Sequence, residues 1–254
     1  MLLLKDMLMN MITRREFQAT GASLLALLLT DNAARAAAIG KLEDIAVAGM
    51  NCKLARPAGD VHGGIILIHE WWGLNEQMQS VAAALADEGY LTLAVDLFGR
   101  VATNVDEAKQ NTQSVDAAKA VSQLQAAKDM LAKETGKIAT MGFCFGGGWS
   151  LDASLAMPVD ATIIYYGRCK KSAAELAKLN GPVLGHFGNL DKFINTEMVD
   201  GFEKALAEAG KKAEIYRYDA DHAFANPTTA RYDEGAAKRS YELSLAFLKA
   251  NLQA

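Results

Sequence analysis

The sequence has little cysteine, little proline and no excess of positive charge. Its 254 residues include three cysteines and four prolines, and the net charge is −4 at neutral pH. Three scattered cysteines without a CxxC pair argue against a disulfide scaffold, a zinc site or a dithiol redox motif. The acidic balance, with no run of Lys or Arg, argues against nucleic-acid binding. With 51% hydrophobic residues the chain can bury a large core, and the expected partner is a small uncharged or anionic molecule.

The first 36 residues differ from the rest of the chain. Arg14 and Arg15 precede an apolar run that ends at Leu29, and a small-x-small segment ends at Ala36. A charged start, a short apolar middle and small residues at the end are typical of an export signal, and paired arginines indicate the twin-arginine route. We expect cleavage after Ala36, transport by the twin-arginine machinery and a periplasmic or otherwise exported domain over residues 37–254.

Other interpretations of this segment stay open at the level of sequence. It could be an amphipathic first helix of the domain or an uncleaved membrane anchor, and Met11 could be the start in place of Met1. The apolar run is short for a membrane span, so we expect no stable membrane insertion of the mature domain.

Strand-like and helix-like segments alternate along the mature chain. Short apolar runs bounded by Gly, Pro or charge predict buried parallel strands, and an antiparallel edge pair precedes them. The predicted strands are 64–69, 91–96, 137–143, 161–167, 182–188 and 213–219, with the edge pair in 43–56; the predicted helices are 75–89, 114–136, 146–156, 196–209 and 231–251. This alternation predicts an α/β fold with a mostly parallel, doubly wound sheet, flanked by helices and without a separate lid domain.

Cys144 lies in a glycine-rich turn between a predicted strand and a predicted helix. The pattern Gly142-x-Cys144-x-Gly146-Gly147 is that of a nucleophile elbow of α/β-hydrolases, with cysteine in place of serine. Glycines are needed because a Cβ two residues from the nucleophile would meet neighbouring backbone. A helix N-terminus next to the sulfur favours a thiolate. The alternative is a small packed cysteine in a turn.

A cysteine nucleophile needs a base, and the base needs an acid to orient it. His222 follows Cys144 in the loop "DADHAFANP", whereas His186 lies inside a predicted strand. Asp191, after the strand that ends near residue 188, is the candidate acid. The order nucleophile, acid, histidine is that of α/β-hydrolases. Asp191 could instead cap a helix and His222 could be a surface residue; Asp219 and Asp221 are the other candidate acids.

The sequence resembles the dienelactone hydrolase family over about residues 45–250. The motifs "LIHEWWGLN", "LAVDLFGR", "GFCFGGG", "HFGNLDKF" and "DADHAFANP" occur in the order and at the spacings of that family. The resemblance implies that Cys144, Asp191 and His222 form the catalytic triad. It also implies that the backbone N–H groups of Phe145 and Trp71 form the oxyanion hole.

Three further positions take their expected roles from this resemblance. Glu70 matches a glutamate that contacts the thiol in the resting enzyme, although an ion pair with Arg100 is an alternative because a buried carboxylate needs a partner. Arg100 matches one of two arginines that hold the substrate carboxylate. Asn226 stands where the family has the second, and a neutral amide cannot replace a guanidinium fork.

The expected activity is hydrolysis of a lactone or a small carboxylic ester through Cys144. Trp72, beside Trp71, is expected to contribute to an aromatic substrate pocket, or else to the core. No ligand cluster or phosphate-binding loop is present in the sequence, so we expect no metal and no cofactor. The alternatives are a thioesterase or other acyl hydrolase on the same fold, and a non-catalytic exported binding protein.

Overall fold

The computed structural model describes residues 32–253, and its elements are numbered here in chain order. The strands are β1 (Glu43–Val47), β2 (Met50–Ala55), β3 (Gly64–Ile68), β4 (Leu91–Val95), β5 (Ile138–Phe143), β6 (Ala161–Tyr165), β7 (Val183–Gly188) and β8 (Ala213–Tyr218). The helices are α1 (Asn32–Ile39), α2 (Glu76–Asp87), α3 (Val105–Gln113), α4 (Ala117–Leu131), α5 (Phe145–Ala156), α6 (Ala173–Leu176), α7 (Thr196–Glu208) and α8 (Glu234–Leu252).

The strands form one sheet in the order β1, β2, β4, β3, β5, β6, β7, β8. The pairs β1–β2 and β2–β4 are antiparallel, and the five pairs from β4–β3 to β7–β8 are parallel. The predicted strands and the antiparallel edge pair are therefore confirmed. So is the predicted fold class, a mostly parallel sheet flanked by helices.

Apolar side chains of β3 pack on both faces of the sheet, which is why this strand is continuously hydrophobic. Ile65 and Leu67 lie in a buried cluster with residues of α2 and α8. Ile66 and Ile68 lie in a second cluster with residues of α4 and α5. A third cluster joins α5 and α7 to the later strands. The sheet is thus covered on both sides, and its carboxyl edge is where the site residues emerge.

Side chains at the predicted helix starts cap the helices. Asn75, at which the predicted helix begins, accepts a hydrogen bond from the Met78 N–H and caps α2, and Asn195 caps α7 in the same way. Helix α3 was not predicted because its sequence is polar; within it only Ala108 and Asn111 are buried. Helix α6 is a four-residue turn held by a capping box at Ser172.

The predicted export signal lies mostly outside the described residues, which begin at Asn32. Helix α1 contains Ala36, the predicted cleavage position. Among residues 32–253, no helix has the length and apolar character needed to cross a bilayer.

Candidate active site

Cys144 occupies a strained turn between β5 and α5. Its φ is 54° and its ψ is −112°, a conformation that costs a non-glycine residue free energy and is typical of functional sites. A Cβ on Gly142 would lie 1.9 Å from the carbonyl oxygen of Gly146, and one on Gly146 would lie 2.2 Å from that of Ile68. Glycine at both positions therefore permits the turn, which lifts the partly exposed sulfur out of the sheet.

A continuous hydrogen-bonded chain links Cys144, His222 and Asp191. The Sγ of Cys144 lies 3.1 Å from Nε2 of His222, and Nδ1 of His222 lies 2.6 Å from Oδ2 of Asp191. The other oxygen of Asp191 accepts from the N–H groups of Phe193 and Ile194, so this carboxylate both caps a turn and orients the imidazole. Since a carboxylate accepts, Nδ1 donates and Nε2 faces the sulfur.

The surroundings of His222 favour its protonated form. Burial acts to lower the pKa of His222, but the hydrogen bonds to Asp191 and Cys144 outweigh it and raise the pKa from 6.5 to about 10. Burial likewise opposes ionisation of Asp191, whereas its hydrogen bonds from His222 and the backbone hold its pKa below the usual value. An imidazolium beside the sulfur stabilises a thiolate, the form in which cysteine is a nucleophile.

Glu70, the residue after the buried His69 that follows β3, is 3% exposed and is held by neutral donors. Its Oε2 accepts from Nδ2 of Asn226 at 2.6 Å, and its Oε1 accepts from the Tyr166 hydroxyl at 3.2 Å. Burial raises the pKa of Glu70, while these hydrogen bonds act in the opposite direction. Among the described residues, Glu70 makes no hydrogen bond to Cys144 and no ion pair with Arg100.

Asn226 is oriented by the turn that follows it. Its Oδ1 accepts from both the backbone N–H and the hydroxyl of Thr228, at 2.9 and 2.7 Å, which leaves the Nδ2 amide to face Glu70. Asn226 is 1% exposed and does not line the cavity described below. The structure thus places Asn226 behind Glu70 as a support for that carboxylate, and this position does not support the expected role of Asn226 in substrate binding.

Arg100 is also not among the residues that line the cavity. Its Nε donates to the Oδ1 of Asn111 in α3, and its side chain is exposed. The alternative in which Glu70 forms an ion pair with Arg100 is therefore wrong, and the position of Arg100 does not support its expected contact with substrate. Helix α3, which the sequence did not predict, supplies Asn111 as the hydrogen-bond partner of Arg100.

A cavity of about 980 Å³ opens over Cys144. Glu70, Cys144 and His222 line it, together with Trp71, Trp72 and Phe145. Aromatic rings form much of its wall: Trp71, Trp72, Phe145, Trp149, Tyr166 and Phe193. Basic side chains also line it: Arg168, Lys170, Lys171 and Arg231. Such a cavity suits a small molecule with an apolar body and a negative group.

Two residues that line the cavity with Cys144, Phe145 and Trp71, have backbone N–H groups without an acceptor among residues 32–253. Phe145 is the first residue of α5, so its N–H has no partner within the helix. Trp71 is the first residue after Glu70 in a turn closed by a hydrogen bond from the Gly73 N–H to the Glu70 carbonyl, 3.1 Å. Two such donors near a nucleophile can stabilise a developing oxyanion.

Sequence reasoning missed Tyr166 and the basic residues of the cavity. Tyr166 directly follows β6, has φ of 36° and places its ring 5.2 Å from that of His222. Its sequence, "ATIIYYG", predicts a buried strand but carries no sign of this bend. Lys171 pairs with Asp152 at 2.6 Å, and Arg231 lies over the Phe193 ring at 5.8 Å. Only the tertiary structure brings these loops to Cys144.

The other two cysteines are buried and free. Burial raises the pKa of Cys52 to about 11 and that of Cys169 to about 12. They do not form a disulfide with each other, and their inert thiols contrast with the partly exposed Cys144. Within residues 32–253 no group of His, Cys, Asp and Glu side chains could hold a metal ion.

Comparisons with known proteins agree with this architecture. The model of the family described as "Dienelactone hydrolase family" matches residues 50–252. A "Putative carboxymethylenebutenolidase" of Saccharolobus solfataricus is 28% identical over 227 residues, which cover 73% of this chain and 88% of that protein. A protein of the same description from Escherichia coli O157:H7 is 31% identical over 206 residues, covering 73% and 76%.

A solved structure extends the likeness to three dimensions. The crystal structure titled "Putative Dienelactone Hydrolase" from Klebsiella pneumoniae has a TM-score of 0.74 and 27% sequence identity, and the match covers 82% of this chain and 96% of that one. The match to the family model, over residues 50–252, includes the elbow, the Asp191 turn and the His222 loop. The chain therefore belongs to the dienelactone hydrolase family, a family of hydrolases with the α/β-hydrolase fold.

Proposed function

We propose that the protein hydrolyses a lactone or small carboxylic ester through a triad of Cys144, His222 and Asp191. The observation that carries the proposal is the hydrogen-bonded chain from Sγ to Nε2 at 3.1 Å and from Nδ1 to Asp191 at 2.6 Å, which starts at the strained elbow. This arrangement provides a nucleophile, a base and an orienting acid within proton-transfer distance.

In the first step the Sγ of Cys144 attacks the carbonyl carbon, and the carbonyl electron pair moves to oxygen. The N–H groups of Phe145 and Trp71 stabilise this oxyanion, because both are free to donate. When the oxyanion collapses, the carbon–oxygen bond to the alcohol breaks. His222 gives its Nε2 proton to the leaving alkoxide, and an acyl thioester on Cys144 remains.

In the second step water replaces the sulfur. Neutral His222 takes a proton from water, the hydroxide attacks the thioester carbonyl, and the sulfur leaves as thiolate beside the reformed imidazolium. Asp191 stays ionised and keeps Nε2 directed at the sulfur throughout. For a lactone the alcohol and the acid remain in one product molecule.

The cavity supports a substrate that is small and carries a negative charge. Its aromatic walls can bury an apolar ring, while Arg168 and Lys170 are exposed basic residues along its lining. A hydroxy-acid product or a carboxylate-bearing lactone would match this charge.

The test is an assay of the purified protein against lactones, aryl esters and acyl thioesters, with mass spectrometry of the protein during turnover. We expect ester or lactone hydrolysis and an acyl adduct on Cys144. Preferential turnover of thioesters would replace the ester assignment with the thioesterase alternative. An absence of any adduct or turnover would favour a binding protein.

We also propose export through the twin-arginine route. The support is the sequence around Arg14 and Arg15, together with the small residues that end at Ala36. Cell fractionation after replacement of both arginines by lysine tests it; a variant that still appears outside the cytoplasm would contradict the twin-arginine assignment.

A further inference from the structure

His69 is buried at the end of β3 and has no part in the chemistry described above. His69 is 0% exposed, and each of its ring nitrogens has a hydrogen-bond partner. Nδ1 lies 2.6 Å from the carbonyl oxygen of Glu70, and Nε2 lies 3.2 Å from the backbone nitrogen of Leu97. A carbonyl can only accept and a backbone N–H can only donate, so the proton is on Nδ1 and the ring is neutral.

The acceptor of the His69 proton belongs to the peptide that joins Glu70 to Trp71. Its carbonyl oxygen also accepts from the Gly73 N–H at 3.1 Å. No cis peptide bond occurs in the described residues, and in a trans peptide the N–H points away from the C=O. Two donors that hold this carbonyl therefore fix the direction of the Trp71 N–H on the opposite side.

His69 also contacts the element that carries the second free N–H group. Its ring lies nearly parallel to that of Phe145, with centroids 5.8 Å apart and an interplanar angle of 13°. A Cβ on Gly146 would lie 2.6 Å from the carbonyl oxygen of His69, so the backbone of α5 packs directly on this residue. His69 thus touches both halves of the donor pair.

We propose that His69 is a positioning residue of the oxyanion hole. Its Nδ1–H holds the Glu70 carbonyl so that the Trp71 N–H is aimed at the oxygen that becomes negative when Cys144 attacks. This inference rests on the proposed function, since it concerns the same oxyanion. The N–H of a peptide whose carbonyl accepts hydrogen bonds is also a better donor, because hydrogen bonds polarise one another along a chain.

Two substitutions separate the two hydrogen bonds of His69. In His69→Asn the side-chain amide can keep a donor near the position of Nδ1, whereas in His69→Gln the amide reaches toward Leu97 and the donor to Glu70 is lost. We expect kcat for ester hydrolysis to fall at least about 10-fold in His69→Gln with little change in KM, because the lost interaction acts in the transition state. His69→Asn should recover most of that loss.

Alkylation of Cys144 by iodoacetamide is the internal control. Iodide is displaced from a saturated carbon, so no oxyanion forms and the oxyanion hole is not used. We expect the alkylation rate of His69→Gln to stay within about twofold of wild type, in contrast to the loss in ester hydrolysis. A parallel loss of both rates would show damage to the thiol or the fold and would overturn the proposal.

His186→Gln is the matched variant, since His186 is also buried and lies on β7, away from this peptide. It should hydrolyse esters at about the wild-type rate. An equal loss of kcat in His186→Gln and His69→Gln would overturn a specific role for His69.

A phenyl trifluoromethyl ketone tests the oxyanion hole without turnover. Its carbonyl carbon bonds to Sγ, and the carbonyl electron pair becomes an oxyanion, forming a reversible hemithioketal. The dissociation constant should rise about 10-fold in His69→Gln, the direction expected when an oxyanion donor is misplaced. Equal dissociation constants for wild type and His69→Gln would overturn the role of His69 even if ester hydrolysis is found.

The ketone also distinguishes failure of this inference from failure of the proposed function. A wild-type protein that binds the ketone at Cys144 but hydrolyses no ester would contradict the proposed function. The two dissociation constants would still decide the role of His69.

Discussion

Two buried histidines, His222 and His186, show how neighbours decide the charge of one type of side chain. His222 faces Asp191 and Cys144, and its pKa is raised to about 10. His186 is bonded to neutral hydroxyls, Nδ1 with Tyr218 at 2.8 Å and Nε2 with Ser244 at 3.0 Å, and burial lowers its pKa to about 3. Burial opposes the charge in both cases. At His222 the anionic partner Asp191 outweighs burial and raises the pKa. Among the described residues His186 has no anionic partner, so burial keeps it neutral.

The two surroundings have different consequences for the protein. The polar cluster around His186, which also includes the Tyr165 hydroxyl bonded to Ser244 at 2.8 Å, joins β6, β7 and β8 to α8. It stabilises the fold without exposing a reactive group. The chain at His222 instead ends on a sulfur that faces a cavity. The following changes should separate a contribution to stability from a contribution to reactivity.

The largest expected effect is that of Cys144→Ala. Removing the nucleophile should lower kcat by at least about 10⁴-fold, while the free energy of unfolding changes by less than about 1 kcal/mol because the side chain is small and partly exposed. Steady-state hydrolysis and thermal unfolding measure the two. Cys169→Ala, a change at a buried inert thiol, is the control and should retain activity. Hydrolysis by Cys144→Ala at the wild-type rate would refute the assignment of the nucleophile.

Asp191→Asn should produce the next largest effect. Without the carboxylate the pKa of His222 falls, so less imidazolium stabilises the thiolate at neutral pH, and kcat should drop about 10³-fold or more. The rate of Cys144 labelling by iodoacetamide at pH 7 measures the change directly. The variant should be labelled more slowly than wild type. Equal labelling rates for the two proteins would contradict the role of Asp191.

The raised pKa of His222 also affects stability. Protonation of His222 stabilises the folded protein fully below pH 6.5, the value of an unperturbed histidine, and this contribution is lost as the pH rises through about 10. Asp191→Asn should therefore flatten the decline in the free energy of unfolding over this alkaline range, as measured by denaturant titration.

His186→Phe should affect stability and leave chemistry nearly intact. It deprives Tyr218 and Ser244 of a buried partner, so we expect a loss of about 1–3 kcal/mol at pH 7. In wild type the unfolded chain binds a proton at His186 that the folded protein excludes. Stability should thus fall by about 1.4 kcal/mol per unit as the pH falls from 6.5 toward 3, and His186→Phe should lack this component. If His186→Phe lost activity and kept its stability, His186 would contribute to reactivity and not to stability, which would contradict this prediction.

Phe193→Ala should give the smallest effect. Phe193 is 64% exposed and lines the cavity, and its ring centroid lies 5.4 Å from that of His222 in an edge-to-face arrangement. Removing it should raise KM about threefold, change kcat less than twofold and alter the free energy of unfolding by less than about 0.5 kcal/mol. Initial-rate kinetics over a range of substrate concentrations separate KM from kcat. A large loss of kcat would mean that the Phe193 ring orients the imidazole of His222.

The sequence is informative where structure depends on neighbours along the chain. The Cys144 turn could be predicted because its glycines stand two residues on either side of the nucleophile, and the buried strands because their apolar runs are continuous. The choice among Asp191, Asp219 and Asp221 could not be made from spacing. In the structure Asp191 contacts Nδ1 of His222, whereas Asp221 accepts from the His222 backbone N–H.

Contacts between distant segments account for what the sequence did not predict. Glu70 and Asn226 are 156 residues apart, and no local pattern indicates that an amide supports that carboxylate. The resemblance implied that Arg100 binds the substrate carboxylate. In the structure its Nε donates instead to the Oδ1 of Asn111, in the unpredicted helix α3. In both cases the hydrogen-bond partner of the side chain depends on packing that forms only in the folded chain.

The separation of 78 residues between Cys144 and His222 has a consequence for the timing of reactivity. A partly folded chain, in which the loop after β8 has not yet docked, carries an ordinary thiol at position 144. In the proposed mechanism the sulfur becomes a strong nucleophile only after the His222 loop has docked, so a newly made or unfolding chain would carry a less reactive thiol than the folded protein.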